Sequence, residues 1–225
     1  MKLHDVTVPI WSGMHVYEGD PPVSISPSKT LARDGVNVSR LDFGTHTGTH
    51  MDAPSHFIPG GKTIDAIDPN RCGGPCRVLD LTDAGDILRR VDLEKFDLKR
   101  GERIVLKTKN SELWDRDRFT PDFAALDLYA AKYCVEAGIL LIGIDYLSVE
   151  PFGSGAKGHP VHKALLAEEI AILEGLDLRG VAPGNYRLHA FPLRLKGLDG
   201  GQCRTFLESD ENHGSQALAD EASHA

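Results

Sequence analysis

Apolar and polar positions along this chain alternate with a period of two in some stretches and near 3.6 in others, and the changes mark out its elements. Val6-Thr7-Val8-Pro9-Ile10 alternates and predicts an opening strand. A loop follows, punctuated by Gly19-Asp20-Pro21-Pro22, with Tyr17 at its edge. Val36, Val38, Leu41 and Phe43 alternate with one slip, which predicts a strand carrying a bulge. Residues 77–81 and 103–108 read as short strands, the second rich in β-branched side chains. Between them Leu88, Val91 and Phe96 fit one brief helix. The clearest helix runs from Thr120-Pro121, a cap and a first-turn proline, to a stop at Gly138. Phe123, Leu126, Ala130, Tyr133, Cys134 and Ala137 form its apolar face. Residues 139–144 are apolar almost without a break, the pattern of a central strand buried on both faces. Residues 185–195 predict the last strand. Strands and helices mix without strict alternation, so the expected fold class is α/β of the mixed (α+β) kind. A single domain over residues 1–207 is expected, without repeats or interdomain linkers.

One stretch does not follow from packing. Gly44-Thr45-His46-Thr47-Gly48-Thr49-His50-Met51-Asp52-Ala53-Pro54-Ser55-His56 places three histidines and an aspartate within eleven residues. Imidazole and carboxylate are the ligands of borderline and hard divalent metals. On a straight strand His46 and Asp52 would lie roughly 20 Å apart, too far to share one ion. A helix would be broken by Gly44, Gly48 and Pro54. The expected form is therefore a strand that bends sharply at the glycines and folds its ligands round an ion.

A second segment carries similar side chains. His162 and Glu174 are twelve residues apart and on one unbroken helix would point about 120° from each other. Residues 164–167 suit a helix, whereas Ile170, Ile172 and Glu174 keep a period of two. A short helix turning into a strand could aim both at one point.

Composition narrows the partners. With 225 residues, 41% of them hydrophobic, the chain can bury a full core. Its net charge of −8 argues against a nucleic-acid binder. Much of that charge sits in a segment from Glu208 onward (208–225), expected to be an acidic, disordered tail. No apolar run is long enough to span a membrane. Met1-Lys2-Leu3-His4-Asp5 lacks the apolar core of a signal peptide, so the cytoplasm is the expected compartment. Cys72-Gly73-Gly74-Pro75-Cys76 is neither Cys-x-x-Cys nor matched by a second close pair, and a loop leading into a strand is expected there.

The stretch from His46 to His56 resembles the His-x-Gly-Thr/Ala-His-x-Asp-x-Pro-x-His motif of the metal-dependent cyclase/hydrolase family, which includes bacterial kynurenine formamidase (arylformamidase) and isatin hydrolase. The likeness extends over nearly the whole chain. It takes in the Gly-Asp-Pro turn after Tyr17, Gly74-Pro75-Cys76-Arg77-Val78, Gly143-Ile144-Asp145, His162 and Ala171-Ile172-Leu173-Glu174-Gly175. The resemblance implies a swivelling β/β/α fold, a homodimer and two divalent ions, zinc or else manganese. It implies that His46, His50 and Asp52 hold the first ion, and that Asp52 also reaches a second, shared with His162 and Glu174, with Glu174 touching both. His56 would be the catalytic acid/base, and Tyr17 could stack on an aromatic substrate. The implied activity is hydrolysis of an amide bond in a small aromatic substrate by metal-activated hydroxide, as in an arylformamidase. Ring-opening of a lactam, non-hydrolytic cyclisation of a polyketide-like substrate, and metal binding without catalysis are the alternatives. The chain departs from kynurenine formamidases in carrying Tyr17 where they have Trp, and Tyr146-Leu147 where they have Thr-Pro. Both changes would be expected to alter the pocket wall and to leave the metal ligands untouched.

Overall fold

The apolar run near residue 140 does become a central strand, Leu141–Ile144, with a parallel neighbour on each side. Its side chains enter two different cores: Ile142 and Ile144 face the helices, and Leu141 faces the opposite layer. The computed structural model of the chain describes residues 1–210. Its strands are β1 (Lys2–Asp5), β2 (Ser24–Lys29), β3 (Val38–Asp42), β4 (His50–Asp52), β5 (Gly73–Asp80), β6 (Ile87–Leu88), β7 (Arg103–Lys107), β8 (Ala125–Leu126), β9 (Leu141–Ile144), β10 (Ala171–Glu174), β11 (Gly184–His189), β12 (Gly200–Gln202) and β13 (Phe206–Ser209). The helices are α1 (Leu31–Asp34), α2 (Pro69–Cys72), α3 (Arg90–Glu94), α4 (Leu128–Ala137) and α5 (Pro160–Ala167).

Nine strands form one mixed sheet in the order β1-β13-β11-β5-β7-β9-β10-β4-β12. The middle four, β5-β7-β9-β10, run parallel, and every pairing outside them is antiparallel. Helices α3, α4 and α5 pack side by side on one face, burying Leu93, Ala130, Ala131 and Leu165 against Ile104, Leu106 and Ile172. The other face gathers Met51, Val78, Val105, Leu173, Leu188 and Leu207 into one cluster, so the sheet curls over its own apolar side. A third cluster, centred on Trp114, Phe123 and Tyr146, lies beneath the loop that carries Tyr17. No helix among the described residues is long and apolar enough to cross a membrane.

Several elements differ from their sequence expectation, each because a distant partner outweighs a local preference. The long helix starts at Leu128, not at Thr120. Asp127 caps it by accepting from the N–H of Ala130, and Gly138 ends it in the left-handed conformation. Phe123 to Leu126 is instead extended: Asn110 brackets Ala124 with two side-chain hydrogen bonds, and Leu126 N–H donates to Val149. The opening strand is Lys2–Asp5 rather than residues 6–10. Val6 and Val8 are buried, but the Val8 N–H donates to the Thr49 hydroxyl instead of a strand. The bulge expected in residues 36–43 lies across the hairpin, between Pro27 and Lys29. Leu88 belongs to β6, leaving α3 to Arg90–Glu94 with Val91 exposed. Two strands follow the one expected to be last. One of them, β13, contains Glu208, which accepts from His189 Nε2 at 2.8 Å and is not part of a tail. The remainder of the expected tail, from residue 211, lies outside the described residues.

The loop expected in the cysteine stretch is absent: helix α2 ends at Cys72 and strand β5 begins at Gly73, because residues 73–78 pair with β11. Cys72 ends α2 and Cys76 lies in β5, and all four cysteines are free and buried. Burial pushes the Cys72 thiol up to about 11 and the Cys76 thiol up to about 12.

Gly175, immediately after β10, sits at φ +74° against the Gly48 backbone, where an added Cβ would lie 2.1 Å from the Gly48 carbonyl oxygen. Gly175→Ala should therefore destabilise the fold by about 1–3 kcal/mol through overpacking, and by a further 1–2 kcal/mol or so through the left-handed conformation. Denaturant unfolding of the variant beside the parent checks this.

Candidate metal centre and active site

The chain makes the expected sharp bend at Gly48, whose φ is +64°. The bend shortens the strand to three residues, His50–Asp52, and lets His46 fold back until its Nδ1 lies 2.8 Å from Asp52 Oδ1. The sheet supplies the rest. In the β4–β10 ladder Glu174 stands directly opposite His50. His50 Nε2 lies 3.4 Å from Asp52 Oδ1 and 3.4 Å from Glu174 Oε2. Helix α5 then brings in His162, whose Nε2 is 3.3 Å from Glu174 Oε1 and 3.8 Å from Asp52 Oδ2. The break between His162 and Glu174 is the expected one: α5 ends at Ala167 and β10 begins at Ala171.

All five expected ligands thus converge, in two overlapping groups. His46, His50 and Asp52 offer atoms within 4.8 Å of one another, and so do Asp52, His162 and Glu174. Two atoms in the cluster, His50 Nε2 and Asp52 Oδ2, are buried without a hydrogen-bond partner. An orphaned buried polar atom costs about 1–3 kcal/mol. Imidazole nitrogen combined with carboxylate oxygen suits borderline divalent ions, and an ion in each group would satisfy both orphans. The residues present fit two ions.

Charge supports the same arrangement. Burial alone would raise the Asp52 and Glu174 carboxyls, yet the surrounding histidines hold both below their ordinary values. Burial likewise disfavours charged His50 and His162, but the carboxylates outweigh it and hold both up to about 10. His56 behaves differently. Desolvation, together with repulsion from His46 and His162, pushes it down to about 4 despite the pull of Asp52. It stacks on His46 with ring centroids 3.9 Å apart, and its Nδ1 lies 3.7 Å from Asp199 Oδ2. A neutral imidazole beside the cluster, but outside both groups of expected ligands, is suited to accept a proton.

His46, His56, His162 and Glu174 line a cavity of about 370 Å³, with Tyr17 and Phe57 among its other lining residues. Tyr17 packs on Phe119 and Phe152, with centroids 5.1 and 5.7 Å away, so its ring is both packing and pocket wall. Burial, with Glu174 and Glu150 nearby, pushes its hydroxyl up to about 12. Two acidic residues at the site carried no signal in the sequence. Asp199, just before β12, lies 3.0 Å from His46 Nε2, and Glu150 lies 2.7 Å from His162 Nδ1. Neither stands in a recognisable spacing with the residue it touches.

Comparison with known proteins gives the arrangement a family. Residues 4–151 match the family model described as a putative cyclase, about two thirds of the chain. The chain belongs to the cyclase family. Among relatives of this chain, a kynurenine formamidase of Bacillus thuringiensis (strain Al Hakam) is 36% identical over 204 residues, covering 90% of this chain and 95% of its own. A solved structure described as a potential metal-dependent hydrolase with cyclase activity is 37% identical, with a TM-score of 0.81 over 92% of this chain and 96% of its own. Isatin hydrolase A from Ralstonia solanacearum shares the fold, with a TM-score of 0.80 at 20% identity over 92% of this chain and 91% of its own.

The charge arrangement predicts a pH response in the protein stripped of metal by a chelator. A histidine held above its unfolded value contributes stability that is fully present below about pH 6.5 and is lost as pH climbs through its folded value. For His50 and His162 that folded value is about 10. The urea midpoint of the stripped protein should fall between about pH 6.5 and about pH 10. Asp52→Asn should flatten the fall.

Proposed function

We propose that this member of the cyclase family is a metal-dependent amidohydrolase of the arylformamidase type, cleaving the C–N bond of a small aromatic formamide. The observation that carries the reading is the pairing of a two-carboxylate, three-histidine cluster with a separate neutral histidine, His56, which lines one cavity with His46, His162 and Glu174. Sequence identity of 36% to a kynurenine formamidase over 90% of the chain supports the substrate class. His46, His50 and Asp52 would hold one ion, and Asp52, His162 and Glu174 the other; zinc suits this mixed N/O donor set, with manganese the second choice. Bound there, such ions supply Lewis acidity, polarising a carbonyl and lowering the pKa of water toward about 7.

The chain's own groups do the rest. Tyr17 and Phe57 flank the space beside the cluster and offer faces for an aromatic ring. His56 takes the proton from the attacking water and returns it to the departing nitrogen, which leaves as an arylamine while the acyl part leaves as formate. Its depressed basicity keeps the imidazole neutral before the reaction. The Val149 N–H, 2.7 Å from Glu174 Oε1, fixes that carboxylate in place. Four free, buried cysteines fit a reducing compartment, and a cytoplasmic setting is part of this reading. A homodimer is part of it too. Strand β3 buries none of its residues, and the arm around it exposes Leu31, Val36, Val38 and Leu41. Two-stranded hairpins are at best marginally stable alone, so a second copy packed on this arm would account for it.

His56→Ala should leave metal content intact and lower turnover of N-formylkynurenine or a simple formanilide by about 10²–10⁴. Metal analysis and a formate-release assay measure the two effects, and unchanged turnover would remove His56 from the chemistry. Isatin belongs in the same assay, because ring-opening of the lactam without formanilide cleavage would shift the substrate class. For the dimer, light scattering should give twice the 24.5 kDa chain mass. Leu41→Asp should return it to a single chain.

A further inference from the structure

Glu150 is a buried acid that the proposed reaction does not use. It is 2% exposed, and its carboxylate is committed on both oxygens. Oε2 accepts from His162 Nδ1 at 2.7 Å, and Oε1 accepts from the Val161 N–H at 2.9 Å, in the first turn of α5. Its own N–H donates to the Ser148 hydroxyl, closing a turn whose intervening residue, Val149, donates to Glu174. That turn hangs from Asp145 at the end of β9, whose carboxylate accepts from the backbone and hydroxyl groups of Thr108 and Ser111. One braced loop therefore reaches two of the expected ligands of the second ion, His162 through Glu150 and Glu174 through Val149.

We propose that Glu150 is a positioning residue for the second ion. By accepting the Nδ1 proton it keeps His162 in the tautomer whose Nε2 lone pair faces Asp52 and Glu174. Its negative charge also makes that nitrogen a stronger donor to a metal. The inference rests on the two-ion reading above and adds a distinction to it. In the first group His50 is oriented locally, its Nδ1 donating to the Gly48 carbonyl at 2.9 Å within its own bend. The two groups share Asp52 but not their outer supports. Loss of Glu150 thus acts on one ion and spares the other.

Titration of the chelator-stripped full chain with zinc, against a competing chelating dye, reads both affinities without any substrate. In Glu150→Gln the amide cannot accept on both sides, so one of its two N–H partners meets a donor. We expect the second ion to bind 10–100-fold more weakly, the range for loss of such an outer partner, with the first unchanged. Glu150→Asp retains the charge one methylene short. It should show the same selective loss to a smaller extent, and it serves if Glu150→Gln does not fold. A parent chain that takes two ions while both variants bind them as tightly overturns the inference alone. Equal weakening of both ions also overturns it, since Glu150 would then support the fold and not one site. A parent chain that binds fewer than two ions overturns the two-ion reading, and this inference with it.

Discussion

Two carboxylates, Asp52 and Glu174, stand close together away from water, and their repulsion has to be offset by positive charge brought to the same place. The surrounding architecture supplies it. A bend brings His46 to Asp52, a ladder register sets His50 opposite Glu174, and a helix delivers His162. Each histidine arrives by a different structural route, so the charge balance is a property of the tertiary fold. The same balance explains why the cluster suits cations: divalent ions can replace the protons that the histidines would otherwise hold.

The sheet explains why the cluster lies where it does. Strands β9 and β10 run parallel at the centre, and both end at the site, β9 in the Asp145 brace and β10 in Glu174. Carboxyl ends of parallel strands open onto loops that are free to vary without disturbing the ladder. Strand β4 enters antiparallel beside β10, so the histidine-rich bend reaches this same end from the opposite direction.

How much of this was legible in the chain depends on the range of the interaction involved. The bend at Gly48 and the break after α5 follow from glycine and from a change of period, both local, and both could be read. The run of residues 139–144 named a central strand because burial on both faces leaves no polar positions. The start of α4 could not be read, because Asn110 and Val149 hold residues 124–126 extended from outside the segment. Glu150 and Asp199 were invisible for a related reason. Each is one of 33 acidic residues, and only the fold shows which of them touch a histidine.

Asp52 presents one oxygen toward His46 and His50 and the other toward His162. This sharing limits how the protein can change over evolutionary time. If two ions are held as proposed, a lineage could abandon one by drift at His162 and retain a mononuclear centre. Neither Asp52 nor Glu174, whose Oε2 faces His50 and whose Oε1 faces His162, offers that intermediate, because each faces both groups at once. Descendants that diverge in metal number should therefore vary at His162 in α5 and keep both carboxylates.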